Sequence, residues 1–232
     1  MKKEVRISIS KNGPYIVIGN PPIYRRVIGI GEDNEPKKWV KEKTVTHGEA
    51  CLLCRCGSSK TKPFCDFSHG EAEFNGEETA SKETHKMQSE VFDGPTLKLL
   101  DAPVLCALAR FCDRGEGTWE LVMHSDNPKS RKLAIEEACL CPSGRLVVIN
   151  KKNGKVLEKK YSQSIILIED PQKKVSGSIF LEGGIPVVSS DGSMYEVRNR
   201  QTLCRCGKSY NKPFCDGTHI QECFNDGDES LQ

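Results

Sequence analysis

Two stretches of the chain carry the same soft ligands at the same spacing. Cys54, Cys56, Cys65 and His69 form one set and Cys204, Cys206, Cys215 and His219 the other, each as Cys-x-Cys-x8-Cys-x3-His. Three thiolates and one imidazole can close a metal site, and such a set is an ordinary structural zinc site. A Cys-x-Cys pair suits extended backbone, whereas Cys-x3-His places its ligands about one helical turn apart, facing the same side. Asp66 and Asp216 fall between those ligands, where a carboxylate caps the first turn, and Pro63 and Pro213 stiffen the approach to the third cysteine. A third group, Cys106, Cys112, Cys139 and Cys141, lies between the two. Cys51 and Cys223 are left over, since their counterparts at a displacement of 150 positions are Gln201 and Glu73. Both read as thiols without a metal.

The outer stretches are copies. CRCGSSKTKPFCDFSH (54–69) aligns with CRCGKSYNKPFCDGTH (204–219) at a constant displacement of 150 positions. Both resemble the CDGSH-type iron–sulfur motif of the mitoNEET-like family, Cys-x-Cys-x2-[Ser/Thr]-x3-Pro-x-Cys-Asp-Gly-[Ser/Ala/Thr]-His. The second copy fits throughout; the first departs at Phe67, where the motif has Gly. The resemblance implies one [2Fe–2S] cluster per copy, held by Cys54, Cys56, Cys65 and His69 and by Cys204, Cys206, Cys215 and His219. A neutral imidazole in place of a thiolate makes such a cluster less negative and easier to reduce. A surface imidazole would leave its second nitrogen free to titrate. The expectation is that His219→Cys lowers the potential and flattens its pH dependence near neutrality.

The central group resembles ferredoxin ligation, with Cys106-x5-Cys112 followed by a distant Cys141-Pro142. The customary middle ligand is replaced by Ala109, and CPSGRL (141–146) resembles the closing segment of divergent single-cluster ferredoxin domains. Cys106, Cys112 and Cys141 would suit a [3Fe–4S] cluster. Cys139 is a candidate fourth ligand that would restore [4Fe–4S], provided the preceding helix ends at or before it. The competing readings are a zinc site or buried thiols.

The elements that must position these ligands are short. GPYIVIGNPPI (13–23) and GSIFLEGGIPV (177–187) are strand-like copies at an offset of 164, so the first carries about 14 extra residues, assigned to the polar stretch 31–43. Asp126-Asn127-Pro128 starts a helix that Pro142 stops, and 145–160 reads as a hairpin around Asn153-Gly154. Pro103 through Arg110 reads as a short helix. The expected organisation is a CDGSH-type module over 1–75, a polar linker over 76–90, a ferredoxin-like domain over 91–172 and a second CDGSH-type module over 173–232. The fold class is α+β and β-rich, with the two outer modules packed as an intramolecular pseudo-two-fold pair in a monomer.

Composition sets the limits. Charged residues make up 28% and aromatics 6%, with 34 basic against 32 acidic side chains, and the mean hydropathy is −0.49. This balance gives no electrostatic reason to expect nucleic acid or an anionic membrane. No run approaches the roughly 18 apolar residues of a membrane helix. The opening residues lack the apolar core of a secretory signal, so a cytoplasmic, reducing setting is expected, where cysteines serve metals more than disulfides. No phosphate-binding loop or nucleophile–base pair is present, so the chain reads as a non-enzyme. The expected function is electron transfer to a redox partner protein. The alternatives are cluster storage or transfer to an apo iron–sulfur acceptor, redox or pH sensing, and a zinc-stapled interaction module.

Overall fold

The computed structural model describes residues 4–49 and 51–231. In chain order the strands and helices are β1 (Arg6–Ile9), β2 (Tyr15–Ile18), β3 (Ile23–Ile30), β4 (Pro36–Thr44), β5 (Cys51–Leu53), β6 (Glu90–Asp93), β7 (Leu97–Asp101), α1 (Gly117–Met123), α2 (Pro128–Leu140), β8 (Leu146–Asn150), β9 (Ser164–Asp170), β10 (Val175–Glu182), β11 (Val187–Val188), β12 (Arg200–Leu203) and α3 (Thr218–Gln221). The fold is α+β and rich in strand. Among the described residues no helix is long and apolar enough to cross a membrane.

The outer parts of the chain exchange strands. One sheet runs β11-β1-β2-β5 and another β12-β10-β9-β3-β4. Ile7 of β1 pairs in parallel with Val187 of β11, and Ile23 of β3 pairs in parallel with Ile165 of β9. Each outer module therefore lends a strand to the other's sheet. The offset of 164 holds in the register, since Tyr15 opposes Leu53 while Ile179 opposes Leu203.

β9 and β10 are buried along their whole length because both their faces are covered. Alternate residues Ile165, Leu167, Ile179 and Leu181 join the core shared by the two outer modules, which also holds Ile7, Tyr15, Val17 and Leu53. Ile166, Ile168 and Phe180 face the opposite way, onto Ala109 and Phe111 of the central cysteine loop. A separate core under β6-β7-β8 is closed by α1 and α2 through Leu97, Leu99, Val122, Ala134 and Ala138.

Three expectations shift. The polar stretch 31–43 is largely strand: β4 pairs with β3, and its Trp39 packs on Phe111 and Phe180 with ring centroids 4.7 Å and 6.2 Å away. The segment 76–90 is docked rather than loose. The Thr79 and Ala80 amides donate to the Lys212 carbonyl (2.8 and 2.9 Å), and Glu78 accepts from the Ser190 amide and the Tyr195 hydroxyl. Within the same segment His85 is buried, 2.8 Å from the Arg145 carbonyl. The strand at 164–170, assigned from sequence to the central domain, is the middle of the outer modules' five-stranded sheet.

Candidate metal centres

Each outer site is built on the end of a strand and one helical turn. After β5 and β12 the chain bends so that Cys54 and Cys56 bring their sulfurs within 3.6 Å, and Cys204 and Cys206 within 3.7 Å. The turns at Ser68–Gly70 and in α3 return His69 and His219, whose Nδ1 atoms lie 3.5 and 3.4 Å from the sulfurs of Cys65 and Cys215. Asp66 and Asp216 fix these turns. Each accepts from the amide two residues on (3.0 Å) and, with its other oxygen, from the Lys60 or Tyr210 amide (2.8 Å). Those bonds, led by the Lys60 amide, hold the Asp66 carboxyl well below its usual range. Ser59 and Ser209 donate to the Phe64 and Phe214 carbonyls, and Lys62 and Lys212 fold back onto the same loops.

The donors at each outer site gather as two pairs. Two pairs, one of two thiols and one of thiol plus imidazole, suit a two-iron cluster with one iron per pair. In each thiol pair the sulfur–sulfur hydrogen bond lowers one cysteine and raises the other, so one thiolate forms readily. The Phe67 and Gly217 amides donate to the Cys65 and Cys215 sulfurs (3.3 and 3.4 Å), a contact that favours the charged form.

Arg55 and Arg205 were not singled out from sequence, though their recurrence between two ligands was the available signal. Both are buried. Arg55 bonds the Gly76 carbonyl and stacks near Tyr15 and Phe74. Arg205 meets Glu169 and Asp226. Each guanidinium ties the backbone between two of the cysteines to neighbouring segments, Arg55 through carbonyls and Arg205 through two carboxylates.

The two outer sites touch. A Cβ on Gly57 would lie 2.5 Å from the Cys206 carbonyl oxygen, and one on Gly207 would lie 2.3 Å from that of Cys56, so only glycine permits this approach. Gly207→Ala, at φ +79, is expected to cost about 3 kcal/mol in urea unfolding. Gly192→Ala, at φ +85 but facing open space, should cost only about 1 kcal/mol.

The sites differ in exposure. His219 is 4% exposed and Cys215 is buried, whereas Cys65 and His69 are half-buried and Phe67 is exposed. Burial pushes the His219 imidazole down to about 4. His219 is therefore not the surface imidazole expected, because the central unit covers the second site.

In the central unit, Cys106, Cys112 and Cys141 line one small cavity with Ala107, Leu108, Ala109 and Phe111. The short helix ends at Leu105, earlier than expected, and the loop beyond it turns through positive φ at Leu108 and Arg110. Cys139 is not brought to the other three. The helix α2 runs through Leu140, so Cys139 lies on its last turn with its sulfur 3.4 Å from the Leu157 carbonyl. The helix thus runs past Cys139, where the four-cysteine reading needs it to end, and Ala109 lines the cavity beside Cys106, Cys112 and Cys141. Arg200 holds the helix end in place, its guanidinium donating to the carbonyls of Ala138 and Cys141 (2.5 and 2.6 Å). Cys51, in β5, packs against the shared core, and Cys223 is exposed near the end of the chain.

A family model described as an iron-binding zinc finger of CDGSH type matches residues 12–70 and 176–220, and one described as a divergent 4Fe-4S mono-cluster matches residues 81–151. No curated protein and no solved structure gives a significant match. The matched regions contain the two outer ligand sets and the central cysteines. The chain is an iron–sulfur protein in which two CDGSH-type iron-binding regions flank a divergent mono-cluster ferredoxin-like region.

Proposed function

We propose that the chain is an electron-transfer protein holding two [2Fe–2S] clusters and one [3Fe–4S] cluster, and that it works with a redox partner protein rather than as an enzyme. The observation that carries this reading is the contiguity of the three ligand sets. Cys56-Gly57 abuts Cys206-Gly207, and Leu108, from the central cysteine loop, abuts Gly217 of the second CDGSH motif. The ligands would be Cys54, Cys56, Cys65 and His69; Cys204, Cys206, Cys215 and His219; and Cys106, Cys112 and Cys141. When bound, clusters of these types accept and return single electrons with little change in geometry. The chain's part is to hold the ligands and keep water from the second and central sites.

Iron, sulfide and zinc quantification with EPR before and after reduction tests this reading. Sulfide with iron, a signal in the oxidised state from the central site and signals on reduction from the outer sites are expected. Zinc without sulfide would overturn it. His69→Cys and His219→Cys should each lower the potential of its own site in a redox titration, because a thiolate adds negative charge.

The half-buried first site favours a second reading, cluster donation to an apo acceptor. Transfer of visible absorbance from the holo-protein to apo-ferredoxin would favour it over electron transfer.

A further inference from the structure

Two copies of one motif offer the central unit two equivalent places to dock, yet it occupies one. The seat is made of three contacts. The Asn211 side-chain amide donates to the Val104 carbonyl at 3.0 Å. Arg110 forms a bidentate pair with Asp170 (2.6 and 3.1 Å) and bonds Gln172 (3.0 Å). Between them, Leu108 lies where a side chain on Gly217 would be: a Cβ there would come within 2.5 Å of its Cγ and Cδ1.

At the first site the matching positions are Thr61 and Phe67. Phe67 holds nearly the backbone conformation of Gly217, φ +69 against +88, and its ring stands 64% exposed beside His69. A non-glycine residue at such φ is strained, and strain of this kind is retained where the surroundings or the function require the residue. The extra strand β4 strengthens the same choice, since Trp39 grips Phe111 of the central loop only on the five-stranded sheet.

We infer that Gly217 is the residue that admits the central unit to the second CDGSH site, that Leu108 seals that site, and that Phe67 denies the first site the same cover. The second cluster is then the enclosed member, in contact with both other sites. The first is the port through which the protein meets solution partners. This rests on the reading that both sites hold clusters.

The test is loss of the reduced [2Fe–2S] EPR signal, and of visible absorbance, from the full-length holo-protein in excess EDTA. The native protein should lose its signal in two phases, with the fast phase absent in Cys65→Ser. Gly217→Phe transplants the first site's residue into the seat and should speed the slow phase by about tenfold. The φ angle alone would not explain that outcome, because the same backbone already carries Phe at position 67. Should Gly217→Phe fail to fold, Leu108→Ala opens the seat without inserting a ring and should also speed the slow phase about tenfold. Equal loss rates at the two native sites, or a slow phase unmoved by opening the seat, would overturn the inference. Absence of sulfide and visible absorbance before EDTA is added would instead overturn the iron–sulfur reading beneath it.

Discussion

Replacing Cys141 by alanine is expected to abolish the oxidised-state EPR signal of the central centre while leaving both outer centres loaded; Cys139→Ala is expected to leave all three. The difference follows from where α2 stops. Cys141 caps the helix in extended backbone, its sulfur 3.4 Å from the Ser143 hydroxyl and facing the cavity that Cys106 and Cys112 also line. Cys139 is one position inside the helix, turned toward the Leu157 carbonyl and the strand-side core. Burial raises the Cys112 thiol, and the nearby charges of Cys141, Asp113 and Cys106 raise it further, a mark of how closely the three sulfurs gather. Removing one of three thiolates leaves two, too few to hold a cubane-type cluster. The outer centres should survive because the central loop keeps its grip through the Trp39–Phe111 contact and the Arg110–Asp170 pair, neither of which involves a cysteine. Iron and sulfide content alongside EPR of the oxidised protein makes the comparison. Loss of the central signal in Cys139→Ala would restore the four-cysteine site.

The grouping of the outer cysteines and histidines was legible in the sequence because it is local: each of these side chains lies within one bend and one turn of the next. The central site was legible only in part. Whether Cys139 joins it depends on one residue of helix, and the helix end is fixed by Arg200, which lies 59 positions beyond Cys141. Strand exchange was hidden for a similar reason. Nothing in Ile23 or Val187 says which sheet its strand will extend. The segment around Thr79 read as linker because it is polar, yet its backbone amides and Glu78 are the groups that dock it. Phe67 was visible as a departure from the motif, but its meaning depends on Leu108 standing against Gly217.

Asp226, near the end of the chain, carries the other large expected effect. Its side chain is fully buried between Arg205 and Arg25, and it bonds the Ser176 hydroxyl at 3.1 Å. Glu169, also fully buried, completes the cluster by pairing with the same two arginines. Asp226→Ala would take a partner from buried Arg205, leaving it Glu169, and one from Arg25, which keeps Glu169 and Asp228, and is expected to cost about 3 kcal/mol in urea unfolding. Asp226→Asn keeps the shape and isolates the charge. The two acids end on opposite sides of their usual values. Burial pushes Asp226 up, but Arg205 and Arg25 outweigh it and hold the carboxyl below 3.8; at Glu169 burial prevails and the carboxyl stands above 4.5. A depressed carboxyl contributes stability that is present above its unfolded value and lost as pH falls through its folded one. Glu169 contributes in the opposite sense, its share fading as pH rises through its folded value. The native protein should therefore lose stability below about pH 4 more steeply than Asp226→Asn. Arg205 lies between the ligands Cys204 and Cys206, so the same substitution reaches the second site. Removing a carboxylate from its guanidinium makes the surroundings more positive and should raise that site's potential, while the first site, resting on Arg55 and neutral carbonyls, should not move.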